Sequence, residues 1–319
     1  MEYGLIAALG WGISSVAATH AARRMGTLAA LLASQVTGTI VLTAVLAAMH
    51  PHLPTLPRAA VLGLGAAGFL SLIGWLTYYR ALEYGPVGIV SGTAATYGGV
   101  TALLAIMILG EPLGLYGGLG DALAVAGVAT AAMRVSTAPA DGGWRQAFGG
   151  PWAGIAGVSG SLTPAMPGVA GRARPRRRPW PGLMLALASA ATYGTGSFWL
   201  GMYAAAAGWL VSALMVYVIS VTVLLAALIF KHKRPLVDLG AVGWAVAAGL
   251  TEAAALVAFA RGGQAGQVAI TAAVSSTYPV IPLAAGLLLF RERLNALQVF
   301  GICVAIAGLT LVSMSTRLV

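Results

Sequence analysis

The feature that most constrains this chain is a repeat. Arg80 returns as Arg261, Gly85 as Gly266, Tyr97 as Tyr278, Glu111 as Glu292, Leu113 as Leu294, Gly120 as Gly301 and Gly127 as Gly308, each pair 181 positions apart. A fixed offset kept by Arg, Tyr, Glu and several Gly, while the apolar residues between them vary, marks two copies of one structural unit. Whatever one half folds into, the other must fold into as well.

What the unit is follows from how little of it can face water. Apolar and aromatic residues make up 59% and Asp, Glu, Lys and Arg only 8%, against roughly a quarter charged in a soluble domain. Such a chain cannot clothe a water-facing surface, so an all-α polytopic membrane protein is expected. The 43 glycines suit closely packed transmembrane helices, because small residues let backbones approach. The single cysteine, Cys303, excludes an internal disulfide, and His20, His50, His52 and His232 lack metal-binding spacing, so neither metal nor cofactor is expected. With no Walker-type glycine loop and no His-rich or paired-acid cluster, ATP-driven transport and an enzyme are both disfavoured. The opening Met-Glu-Tyr-Gly lacks the basic stretch of a cleaved signal peptide, so the first apolar segment is expected to be retained.

A membrane-crossing helix needs about 20 apolar residues. Candidate spans cover 4–20, 28–49, 59–82, 87–109 and 113–133, then 183–201, 209–230, 239–260, 267–290 and 297–314. The units are therefore 1–134 and 182–319, joined by a linker over 135–181 that is rich in Pro, Gly and Ser and carries Arg172, Arg174, Arg176, Arg177 and Arg178. It is expected to lack regular structure. An odd number of spans per unit makes the second copy enter from the opposite side. Ten transmembrane helices in two inverted five-helix repeats result, which is a secondary transporter's architecture.

The residues also carry a resemblance. Tyr79-Arg80-Ala81-Leu82, Leu109-Gly110-Glu111-Pro112-Leu113 and the stretch Gly120 to Gly127 stand in the first half. Ser276-Thr277-Tyr278-Pro279-Val280, Phe290-Arg291-Glu292-Arg293-Leu294, Gln298, Gly301 and Gly308 stand in the second. On these motifs the chain resembles the EamA-type ten-helix members of the drug/metabolite transporter superfamily, over both halves but not the linker. The resemblance implies export of a small metabolite, such as an amino acid or related amphipathic compound, with uptake and multidrug efflux as alternatives. A structural or receptor-like membrane protein is the alternative of another class, and it would not need interrupted helices. A monomer in a prokaryotic plasma membrane, without nucleic-acid partners, is expected. The chain departs from the family pattern at Tyr97-Gly98-Gly99, where a proline tends to follow, and in its long basic linker.

Candidate substrate contacts come from helix interruptions and helical spacing. Pro279 and Pro282 lack N–H groups and free the carbonyls of Ser275 and Tyr278, and Gly98-Gly99 is the matching weak point of the first half. Paired mid-membrane interruptions point to a binding site. Thr271, Ser275 and Tyr278 share one helix face, as do Ser71, Trp75 and Tyr78. Trp11 with Ser15, Tyr97, and Thr192 with Thr195 and Trp199 extend the polar and aromatic lining. Glu252, whose counterpart is Ser71, is the sharpest residue, since an acid inside an apolar span is rarely without a role. It is expected either to carry a coupling proton or to anchor a substrate ammonium, against the plainer reading of a neutral acid bonded to a neighbouring helix. Asp121 is the weaker acid. Arg80, Arg261, Glu111 and Glu292, at span ends and turns, are read as scaffold.

For orientation, a cytoplasmic amino terminus, as the resemblance implies, places only Arg58, Arg261 and Arg317 inside and fifteen of the 18 Lys and Arg outside. The positive-inside rule asks for the reverse. The charge bias is large, so the linker is expected in the cytoplasm, where it would meet anionic headgroups, and both termini outside.

Overall fold

The computed structural model describes residues 1–49, 55–84, 87–110, 114–132, 180–230 and 238–282, with isolated positions of the last span between 297 and 311. Glu111, Glu292, the basic runs at 172–178 and 231–234, the side chain of Asp121 and almost all of the linker lie outside them.

The described residues are helical throughout, with no strand among them. Helices α1 (Glu2–Met25), α2 (Thr27–Met49) and α3 (Arg58–Tyr84) are followed by the short helices α4 (Val87–Ala94) and α5 (Tyr97–Leu104), which together with a π turn at Ala105–Leu109 form the fourth span. Then come α6 (Gly114–Ala132), α7 (Trp180–Ala207), α8 (Trp209–Phe230), α9 (Leu239–Gln264) and α10 (Val268–Ser275). Among the described residues six stretches, α1, α2, α3, Val90–Leu109, α8 and α9, are long and apolar enough to cross a membrane.

Local chemistry sets the boundaries. Gly26 ends α1 at φ 82° and Gly208 ends α7 at φ 79°, a backbone region open to glycine at little cost. Asp238 caps α9 by accepting the Gly240 N–H at 2.9 Å. Within helices, hydroxyls bond back to the carbonyl one turn earlier, as Thr19 does to Ser15 at 2.7 Å, so they need no water.

Packing crosses between the halves. Helix α1 runs along α9 and α3 along α7, while α2 lies against α8 and α9. Because α7 and α9 are the repeat counterparts of α1 and α3, the two main pairings are reciprocal. Glycines make them close: a Cβ on Gly10 would stand 2.6 Å from the Thr251 carbonyl, and one on Gly196 2.8 Å from Ser71 Oγ. The same holds between α6 and the last span. Gly127 packs on the backbone of Gly301 and Ala305, and Gly308 packs on that of Gly120 and Ala124. These are the same contact with the halves exchanged, since 120, 124 and 127 become 301, 305 and 308 at the repeat offset.

Candidate functional site

The helical stretches 87–109 and 268–282 break at equivalent places, Ala95-Thr96 and Ser276-Thr277, again 181 residues apart. At the first break Thr96 N–H reaches Thr93 at 3.2 Å and Gly98 N–H reaches Ala95 at 3.2 Å, bonds three residues long that tighten the chain. At the second, Thr277, Tyr278, Val280 and Ile281 all donate to the carbonyl three residues back. This corrects the expectation for the prolines. The carbonyls of Ser275 and Tyr278 accept from Tyr278 and Ile281 at 3.2 and 3.1 Å, so the tightened turn satisfies them. The weak point of the first half likewise precedes Gly98-Gly99. Gly98 serves close packing instead, its α-carbon facing Ser276 and the Ala272 carbonyl.

The two breaks abut a cavity whose empty space, open solvent at its mouth included, is about 450 Å³. Helix α1 contributes Trp11, Ser14, Ser15 and Ala18, and α3 contributes Trp75, Tyr78 and Tyr79. Ala94 and Tyr97 come from the first break, Tyr278 from the second, Ser189 and Tyr193 from α7, and Glu252 from α9. Of the residues expected from sequence, the fold thus brings Trp11, Ser15, Trp75, Tyr78, Tyr97, Tyr278 and Glu252 to one place.

Aromatic edges and faces interlock around it. Trp11 stands edge-on to Tyr97 and to Tyr193 at 5.8 Å each, and Tyr97 meets Tyr193 at 5.1 Å. A hydroxyl chain ties the helices together. Tyr78 donates to Ser15 Oγ at 3.0 Å, Ser15 donates to the Trp11 carbonyl at 2.6 Å, and the Tyr78 oxygen pairs with Ser91 Oγ at 2.8 Å. Tyr278 donates to the Ser91 carbonyl at 3.0 Å, and the hydroxyls of Tyr97 and Ser275 pair across the breaks at 2.7 Å. Ser275 therefore supports Tyr97 from behind the cavity wall.

Glu252 is 3% exposed and receives a hydrogen bond from Ser34 Oγ of α2 at 2.9 Å. Two glycine contacts fix it there: Gly249, one turn earlier, lies against Ser34, and Gly10 of α1 lies against Thr251 and Ala255. The phenols of Tyr79, Tyr193 and Tyr217 are within electrostatic reach of the carboxyl. Trp11 Nε1 is buried and has no acceptor among the described residues.

The remaining candidates sit elsewhere. Ser71 is buried against Gly196 of α7, and Thr271 against Gly262 of α9. Thr192 and Thr195 bond back to Ala188 and Ala191 of their own helix at 2.8 and 2.9 Å, while Trp199 stacks on Tyr203 at 5.8 Å. No group of three or more metal-ligating side chains occurs among the described residues. Arg80 pairs with Glu83 at 3.7 Å and Arg261 lies over Trp209 at 4.7 Å, both away from the cavity.

The sequence profile of the EamA-like transporter family matches residues 2–133 and 180–314. The chain belongs to the EamA-like transporter family. It is accordingly an integral, multi-pass membrane protein that moves small solutes. A solved crystal structure, described only as that of a protein, covers 99% of this EamA-like transporter and 97% of its own chain, with a TM-score of 0.66 and 18% identity, a likeness of fold alone. No curated protein matches the sequence significantly.

Sequence reasoning missed Ser14, Ala18, Tyr79, Ala94, Ser189 and Tyr193 in this EamA-like transporter. Completing the stripe begun by Trp11 and Ser15 at i+3 and i+7 finds Ser14 and Ala18. Ser189 and Tyr193, four residues apart, form the inward stripe of α7, and the chosen Thr192 face lies one residue, about 100° of rotation, away from Tyr193. Tyr79 and Ala94 had no signal of their own.

Proposed function

We propose that this chain is a secondary transporter exporting a small amphipathic metabolite by alternating access, built as ten spans in two inverted five-helix repeats. One observation carries the reading. The two broken spans, one from each half, meet at a single cavity that also holds the intramembrane acid. The exchanged glycine contacts of α6 and the last span support the inverted arrangement, since a two-fold axis in the membrane plane would relate them. Tightened breaks between helix halves supply joints at which the wall can tilt without exposing unpaired backbone.

Glu252 is the proposed coupling group: a carboxyl in a site that is alternately dry and wet can bind and release a proton once per cycle. Both termini are proposed to face outward, supported by the fifteen basic residues this places in the cytoplasm.

The test is a growth screen against toxic metabolites and analogues in cells overexpressing the protein. Export predicts resistance to at least one compound, lost in Tyr278→Ala at equal membrane expression. Equal protection by the variant would contradict the site, and sensitisation in place of resistance would mean uptake.

A further inference from the structure

We propose that the ligand of this cavity is an organic monocation: an ammonium carried on an aromatic or apolar body that bears no carboxylate. The proposal rests on reading the cavity as the substrate site and narrows its chemistry.

Charge complementarity comes first. Among the described lining residues Glu252 is the one carboxyl, and none is Lys, Arg or His. A guest carboxylate would enter a buried site holding a like charge and no cation to compensate it, whereas a monocation with ionised Glu252 leaves the pair neutral. A zwitterion gives the ammonium the same partner but strands its carboxylate among neutral groups.

The rings supply the second observation. Trp11, Tyr97 and Tyr193 all line the cavity and pack edge to face on one another at interplanar angles of 74° to 88°. A cation within about 6 Å of a ring face is attracted by it, so an aromatic wall of this kind favours a cationic guest over one whose charge the wall does not balance. The third observation is the buried indole N–H of Trp11, which has no acceptor among the described residues. It fits a neutral acceptor, a hydroxyl or carbonyl oxygen, on the body of the guest. Ser34, holding one carboxyl oxygen from α2, fixes the acid's direction while Glu252 remains among the residues that line the cavity.

Three probes share one body and differ only in charge: 2-phenylethylamine, phenylalanine and 3-phenylpropionate. Their affinities for the purified full chain in detergent are measured by calorimetry, with Glu252→Gln and Glu252→Asp alongside and thermal stability recorded for each variant. The expected result is amine binding at least tenfold tighter than phenylalanine and no measurable binding of the acid. Glu252→Gln should weaken the amine at least tenfold, and Glu252→Asp, which keeps the charge, should retain part of that affinity. The proposal is overturned if phenylalanine or phenylpropionate binds as tightly as the amine, if none of the three binds, or if the Gln variant holds the amine unchanged. Phenylalanine binding that is lost in Tyr278→Ala would overturn the monocation class alone and leave the transporter reading standing. A growth screen without any protected or sensitised strain would remove the transporter reading itself.

Discussion

Replacing Gly127 or Gly308 by Ala should destabilise the protein, and by similar amounts, because the two positions are one contact seen from either half. A Cβ at 127 would lie 2.6 Å from the Gly301 carbonyl oxygen, and one at 308 would lie 2.5 Å from that of Gly120. Ordinary contact begins at 3.4 Å, so clearing these oxygens alone takes 3.4 − 2.6 = 0.8 Å or 3.4 − 2.5 = 0.9 Å, and the backbone nitrogens of Ala305 and Ala124, which lie nearer still, require the helices to part further. The obstructing atoms are backbone, so no side chain can swing aside. Overpacking of this kind costs about 1–3 kcal/mol, partly offset by the roughly 1 kcal/mol by which Ala is the better helix former. A net loss on the order of 1 kcal/mol is expected at each site. Gly65 in α3 and Gly118 in α6 provide the opposite sign, since a Cβ there meets none of the described residues within 4 Å. Gly65→Ala and Gly118→Ala should gain up to about 1 kcal/mol from propensity alone. The assay is the fraction of detergent-solubilised protein surviving a heat step, read by size-exclusion chromatography. A Gly308→Ala protein at least as heat-resistant as the parent, or a large difference between the Gly127 and Gly308 variants, would refute the reciprocal packing.

Two further outcomes follow from the site and the charge pattern. Tyr193→Ala should reduce transport strongly, since it removes a ring that touches both Trp11 and Tyr97. Thr192→Ala, one residue away, should transport like the parent because its hydroxyl serves only its own helix; flux measured at matched expression separates them, and equal losses would show that the α7 face is misassigned. A cysteine at Ser159 in a Cys303→Ser background should resist an impermeant thiol reagent in intact cells and react after lysis. Ready labelling of intact cells would place the linker outside and reverse the orientation.

Much of the architecture was legible because lipid leaves the sequence few choices. The apolar runs that the described residues cover are helical, and the offset linking Gly120 to Gly301 and Gly127 to Gly308 foretold positions that touch each other's counterparts. Which face of a helix points inward was harder to read. In water a polar face marks the outside, but lipid and protein interior are both apolar, and Thr192 and Thr195 can satisfy their hydroxyls on their own helix wherever they point. Trp11, Trp75 and Tyr78 were legible because large amphipathic rings recur at helical spacing. The breaks were located to within a few residues of Gly98 and Pro279. Their internal hydrogen bonding was not foreseen, because a missing N–H says which bond is lost and not which shorter one replaces it. Glu252 needed only its own improbability in an apolar span, whereas its partner Ser34 depends on how α2 meets α9, which no local pattern encodes.

The central claim, a cavity whose acid couples flux to protons, is tested most directly by Glu252→Gln in proteoliposomes with and without an imposed pH gradient. Glutamine keeps the shape and nearly the volume of the protonated acid but cannot give up a proton. The parent should accumulate substrate against its gradient when protons flow the other way. The variant should lose that accumulation while still equilibrating substrate downhill. Gradient-driven accumulation that persists undiminished in Glu252→Gln would contradict the account.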